Sequence, residues 1–308
     1  MTSGEAIGSD TVQPGEAQPG EARPGAAERA AAQRLDGVLA GLTGDARIRF
    51  ERREQVLWLT IDREQQRNAL ALSMLDTIAN IARAIVASMG ADDPLPGVRL
   101  LVIRGAGGAH FAAGGDLKEL DAVRSPTAAE HMSARGMTAL QAVRECPVPV
   151  VAALNGAARG GGAELALACD LRVGHSGSAI GFVQATLGLA PAWGGGRDLL
   201  QRLGPARGLL NLLEAELKVG FEAVAAGLMD EVLADSADAF APALERFVVR
   251  LAQRPPQVQV ALKALARAVA DGVSPNALAA LERNHLARTW VHPDHWMLVE
   301  AAARRRNR

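Results

Sequence analysis

The sequence predicts an α/β fold with a helical C-terminal region. Three observations carry this. Apolar strand-like runs alternate with amphipathic helical segments through the first two thirds of the chain, as in sheets covered by helices. From Gly194 onward the pattern turns helical, with one short strand-like run, "LMDEVLA", interrupting it. The length of 308 residues, 49% hydrophobic and 22% charged, suits a soluble globular protein of one large domain or two small ones.

The first thirty residues lack an apolar core and carry several Glu, which argues against a signal or transit peptide. Their "PGEAQPGEARPGAA" cannot bury a core, so residues 1–40 are expected to be a disordered tail. Folding should start near Ala40 to Arg47, with residues 41–235 as the core and 236–308 as the helical C-terminal region. "IRFERREQVLWLTIDR" reads as two strands around a turn near Arg53–Glu54. From Ser73, "SMLDTIANIARAIVASM" has apolar residues at helical spacing behind a Ser cap. "VRLLVIRG" and "VPVVAALNG" are continuous apolar runs, the mark of strands buried on both faces. Between them lie a loop, "AGGAHFAAGGDLKEL", and a helix, "TAAEHMSARGMTALQAVREC", stopped by "PVP". "GGGAELALACD" opens a helix, "LRVGHSGSAIGF" returns as strand and turn, and helical segments follow to the end.

Composition excludes several functions. A net charge of −1 makes no electrostatic case for nucleic acid or an anionic membrane. The terminal "ARRRNR" suits a helix C-terminus. No run of eighteen apolar residues exists to span a bilayer. Two cysteines, Cys146 and Cys169, are too few for a disulfide scaffold; they fit a reducing cytoplasm and read as packing residues.

Two segments share one design. "HFAAGGD" and "ARGGGAE" each place glycines and small residues between the end of a strand and a helix. Free N–H groups cluster there at the positive end of the helix dipole. Two such groups converging on one oxygen form an oxyanion hole, each donor worth about 2.7–4 kcal/mol in the transition state. Tight turns or close helix–strand contacts are the alternative for either segment alone. Dinucleotide binding fails on spacing, because Phe111 and Ala112 stand near the third glycine position. There is no P-loop, no G-x-S-x-G elbow and no zinc-like grouping, so no metal is expected.

"FAAGGDLKEL", "NGAARGGGAELALACDLRV" and "GLAPAWGGGRDLLQRLG", in this order, resemble the crotonase (enoyl-CoA hydratase/isomerase) superfamily from about Arg47 to the C-terminus. The resemblance implies a spiral of β-β-α units and a helical C-terminal trimerisation region, assembled as a trimer or dimer of trimers. It implies an acyl-CoA thioester as substrate, with no further cofactor, and an enolate held by the N–H groups of Gly115 and Gly161. It implies substrate contacts from the "RNAL" segment, including Arg67 and Ala69, and from Ala113, Asp116 and Lys118. Enoyl-CoA hydratases carry two catalytic Glu residues. The first falls at Glu164, for which a plain helix-dipole partner is the competing reading. The second position holds Gln184, and an amide neither holds nor releases a proton near neutral pH. Two-carboxylate water addition is therefore weakened, and isomerisation more so.

"GGGAEL", "GFVQATLGLAPAWGG", "AELKVGFEAVAAGLMDEVL" and "LERNHLARTW" look like the ethylmalonyl-CoA decarboxylase branch, Trp193 included. Decarboxylation of a malonyl-type thioester needs enolate stabilisation and a dry pocket but no base. A second carboxylate would repel the substrate, whereas an amide at Gln184 can donate a hydrogen bond. Hydration by a single Glu, and a non-catalytic acyl-CoA-binding subunit, are the other readings. Trp193 either packs against the acyl group or fills core. Asp170 reads as structural, His110 as a loop surface residue and His175 as a turn residue.

Overall fold

The computed structural model describes residues 25–90 and 95–306. The chain enters through α1 (Ala26–Ala40) and a hairpin of β1 (Ile48–Arg53) and β2 (Val56–Ile61), then α2 (Leu72–Ala87). Repeated strand–strand–helix turns follow: β3 (Leu100–Gly105), β4 (His110–Ala112) and α3 (Pro126–Arg144), then β5 (Val150–Leu154), β6 (Ala157–Arg159) and α4 (Gly161–Ala168). A third pair, β7 (Leu171–His175) and β8 (Ala179–Gly181), leads through a 3-10 turn at Val183–Leu187 into α5 (Gly195–Leu203) and α6 (Pro205–Glu214). Next come β9 (Lys218–Val219), α7 (Gly220–Ala225) and β10 (Glu231–Ala234). The chain closes with α8 (Ala237–Ala252), α9 (Pro256–Ala270), α10 (Pro275–Trp290) and α11 (Pro293–Arg306).

The first strand of each turn joins a large sheet ordered β1-β2-β3-β5-β7-β10, and the second joins a small one ordered β4-β6-β8-β9. This is the β-β-α spiral. Pairing is parallel except at β1–β2 and β8–β9. Alternate residues of the large sheet serve two cores. Leu57, Leu59 and Ile61 face the cluster that holds α2, α3 and α4. Val56, Trp58, Leu100, Val102, Val151 and Val173 face Phe240, Leu244, Phe247 and Val248 of α8. That two-sided burial explains the unbroken apolar runs. No helix of the described residues is long and apolar enough to cross a membrane.

The expected disordered tail over residues 1–40 is corrected in part. Residues 1–24 lie outside the described residues, but 26–40 form α1. Ala31, Leu35 and Leu39 are spaced four apart and buried in the core, and one shared face is enough to dock a helix. Buried Arg99 pins it: Nε and Nη2 donate to Glu28 Oε1 at 3.0 and 2.7 Å, and Nη1 donates to the Ala252 carbonyl at the end of α8. The Ser cap on α2 is also corrected. The helix begins at Leu72, and Ser73 Oγ instead donates to Asp45 Oδ2.

Asp170 is structural as read. Its Oδ2 accepts from the Val150 N–H and from Lys263 Nζ of α9, both at close range. Burial pushes the Cys146 thiol up to about 11 and the Cys169 thiol up to about 12, so both stay protonated packing groups.

Removing residues 1–24 is expected to leave the thermal midpoint nearly unchanged, because that composition packs poorly. Extending the deletion through Ala40, or making Leu35→Ala, should lower stability, the point variant by about 2–5 kcal/mol. Urea unfolding of the three proteins checks both halves.

Candidate active site

Each glycine of the run at the start of α4 has its own physical reason. Gly160 has φ 52° and ψ −116°, a conformation that side chains disfavour. A Cβ on Gly161 would stand 2.3 Å from the Trp193 ring, and one on Gly162 would stand 2.2 Å from the Ala112 carbonyl oxygen of β4. The helix thus starts with its backbone pressed against β4 and an indole. Gly161 opens the helix, so its N–H has no intrahelical acceptor.

Gly115 sits in the facing loop. It forms a parallel bridge with Leu70, in which Leu70 N–H donates to Gly114 O and Asp116 N–H donates to Leu70 O. That pattern turns the Gly115 N–H away from Leu70. Neither Gly115 N–H nor Gly161 N–H finds an acceptor among the described residues. The loops abut: a Cβ on Gly114 would lie 3.5 Å from the Gly161 nitrogen. Two unspent donors therefore lie on abutting loops, and an oxyanion hole needs two such donors close together.

The predicted contact residues form a ledge beside Gly115. Residues 67–70 run alongside 113–116, with Ala113 N–H donating to Arg67 O at 3.0 Å. Arg67 and Lys118 are exposed, and Ala69 and Ala113 are half-buried. Asp116 has partners of its own within the chain. It is buried, ion-paired to Arg63, and accepts from the Lys118 and Glu119 N–H groups. Its carboxylate fastens the ledge. Buried Asn68, not singled out from the sequence, ties the ledge to β3 and β4 by donating to Ala106 O and His110 O. His110 belongs to β4 and is half-buried, not a loop surface residue. His175 is buried with its ring 5.7 Å from Phe240.

Glu164, 2% exposed, faces this site from the first turn of α4. Its Oε1 accepts from Gln184 Nε2 at 3.0 Å and Ala192 N–H at 3.2 Å. Its Oε2 accepts from Trp193 N–H at 2.7 Å and Gly195 N–H at 3.0 Å. Burial pushes its carboxyl up from the ordinary range, and those four donors pull the other way. An ionised carboxylate offers about four lone-pair sites, so all are engaged.

Trp193 completes the site. Its indole borders both amide-bearing glycines, with Cη2 3.4 Å from a Cβ on Gly115. The indole Nε1 and the Gln184 Oε1 are buried without a partner among the described residues. No group of three His, Cys, Asp or Glu among the described residues could hold a metal ion.

Residues 51–295 match the family model described as enoyl-CoA hydratase/isomerase. A crotonyl-CoA hydratase of Syntrophomonas wolfei is 34% identical over 59% of this chain and 67% of that protein. An ethylmalonyl-CoA decarboxylase of Xenopus tropicalis is 36% identical over 50% of this chain and 51% of that one. About a third to a half of each relative's length thus lies outside the match. The crystal structure of an enoyl-CoA hydratase from Bacillus anthracis superposes with a TM-score of 0.75 at 25% identity, covering 84% of this chain and 96% of that one. The fold is the crotonase fold. The chain belongs to the enoyl-CoA hydratase/isomerase family.

Replacing Glu164 by Ala would strand four donors, each costing about 1–3 kcal/mol when buried unpaired, so a large loss of stability is expected. The pH dependence separates Glu164 from other carboxyls. A raised pKa means that the folded state holds this proton more tightly than the unfolded chain. Wild-type stability relative to Glu164→Gln should therefore fall as pH rises through and above the ordinary carboxyl range. Urea midpoints of both proteins from about pH 4 to about 8, starting at the ordinary carboxyl range and running above it, measure the slope.

Proposed function

We propose that this chain decarboxylates a small carboxyacyl-CoA of the ethylmalonyl or methylmalonyl type. The observation that carries the reading is the saturated Glu164 carboxylate beside an amide at position 184. A general base needs a free lone pair within reach of the proton that it takes, and Glu164 has spent its own on the loop at 192–195 and on Gln184. What faces the substrate is then two backbone donors and a carboxamide. Those suffice for a reaction that needs no base. The bond between Cα and the carboxylate carbon breaks, its electron pair passes into the thioester as an enolate, and CO2 leaves. Gly115 and Gly161 N–H stabilise the enolate oxygen, and Cα takes a proton from solvent to give the acyl-CoA. Arg67, Ala69, Ala113 and Lys118 line the ledge that receives the CoA portion. Glu164 is a positioning residue in this scheme.

Enoyl-CoA hydration by Glu164 alone is the second reading. The burial that pushes its carboxyl upward favours it, since a protonated Glu164 would be a proton donor.

The assembly proposed is a homotrimer or a dimer of trimers. Helices α10 and α11 bury no residue within the chain and leave Leu286, Trp290, Trp296, Met297 and Leu298 exposed, more apolar surface than a lone subunit usually shows. Light scattering at micromolar concentration should give three subunits or six; a stable monomer overturns this.

Gln184→Glu separates the two reactions. In a decarboxylase it puts a negative charge beside the substrate carboxylate. Unit charges ~4 Å apart repel by about 4 kcal/mol at an effective dielectric of 20, partly relieved by protonation. A loss of roughly tenfold to several hundredfold in CO2 release is expected, with crotonyl-CoA hydration rising. If wild-type protein releases no CO2 from any malonyl-type thioester yet hydrates crotonyl-CoA efficiently, hydration is the function.

A further inference from the structure

A glycine lies in the middle of α3, ten residues past its start. Gly136 is buried and its backbone is ordinary helix, so neither turn nor cap calls for it. Glycine in a helix interior costs about 0.5–1 kcal/mol against alanine. The reason is contact: a Cβ there would stand 2.2 Å from Cδ1 and 2.5 Å from Nε1 of Trp193. The pyrrole side of the indole thus sits in a notch at Gly136. The opposite edge reaches the oxyanion loops, with Cζ3 2.3 Å from a Cβ on Gly161 and Cη2 3.4 Å from one on Gly115. The ring spans the whole distance from α3 to the two amide-bearing glycines.

The ring is also held still. Ser133 Oγ, one helical turn before Gly136, donates to Ala192 O at 2.6 Å. Glu164 holds the Ala192, Trp193 and Gly195 N–H groups, and Arg144 of α3 is ion-paired with Asp198 of α5. Trp193 is 4% exposed. A large ring clamped on both sides is a wall and not a gate.

We propose that Trp193, seated in the Gly136 notch, is the end wall of the acyl pocket and restricts the substrate to short acyl groups. This rests on the acyl-CoA reading of the site. It deepens that reading by assigning acyl length to one ring and one glycine on different elements. Gly136 sets how far the indole withdraws from Gly115 and Gly161. A methyl group at 136 pushes the ring toward them, and a smaller side chain at 193 opens the space.

Binding of unreactive saturated thioesters tests this apart from turnover. Titration of free CoA, butyryl-CoA and octanoyl-CoA into wild type, Trp193→Leu, Gly136→Ala and the double variant gives the profile. Wild type should prefer butyryl-CoA. Each newly buried methylene is worth about a threefold to fourfold gain in affinity, so Trp193→Leu should shift the octanoyl-to-butyryl ratio at least about tenfold toward octanoyl with free CoA unchanged. Gly136→Ala should weaken both acyl esters, and the double variant should recover the Trp193→Leu profile. Trp193→Phe, a milder change, should move the ratio in the same direction and serves if Trp193→Leu does not fold. An unchanged ratio in a folded Trp193 variant overturns the wall while leaving the acyl-CoA reading intact. Failure of wild type to bind any of the thioesters overturns both.

Discussion

The arrangement of the site depends on one buried carboxylate. Glu164 is taken out of water by the fold, a cost that only charge-complementary partners offset. The positive end of α4 supplies part of the compensation. The rest comes from three N–H groups of the segment 192–195 and the Gln184 amide. In satisfying the charge, these donors fix their own positions. The loop before α5, the side chain at 184 and the ring of Trp193 are all oriented from this centre. Each is on a different element from the Gly115 loop, yet all converge on the space beside it.

Side chains and backbone divide the work. The donors left unspent at the site are backbone N–H groups of Gly115 and Gly161, because one bridge and one helix start leave them without acceptors. Side chains act behind them. Asp116 and Asn68 hold the ledge, Ser133 and Arg144 tie α3 to the loop, and Glu164 anchors the far side. Charged residues near the reaction centre are thus mostly engaged in structure.

The two glycine-rich loops were legible in the sequence because glycine is costly in regular structure, and three in succession mark a backbone that must be approached closely. The large-sheet strands were legible from continuous apolar runs. The role of Glu164 was not, because three of its four donors are main-chain groups some thirty residues away that leave no side-chain signature. Arg63 as the partner of Asp116 was hidden for a related reason: a motif position marks where a residue sits, and Arg63 decides what its carboxylate does. Helix α1 was hidden by the Pro/Gly/Glu repeat before it, although Ala31, Leu35 and Leu39 already carried its period. Gly136 had a signal too, an isolated glycine inside a helical pattern, but its partner Trp193 lies far along the chain and only the fold brings them together.

Arg99 joins three distant parts of the chain: Glu28 in the first helix, the start of β3, and the carbonyl of Ala252 at the end of α8. On the ribosome these arrive in order, and the guanidinium cannot complete its bonds until residue 252 has emerged. The N-terminal helix is therefore made first and locked late. Chains made at about 5–20 residues per second spend roughly ten to forty-five seconds between those events. Throughout that interval α1 is held to the core by Ala31, Leu35 and Leu39 without its final polar clasp.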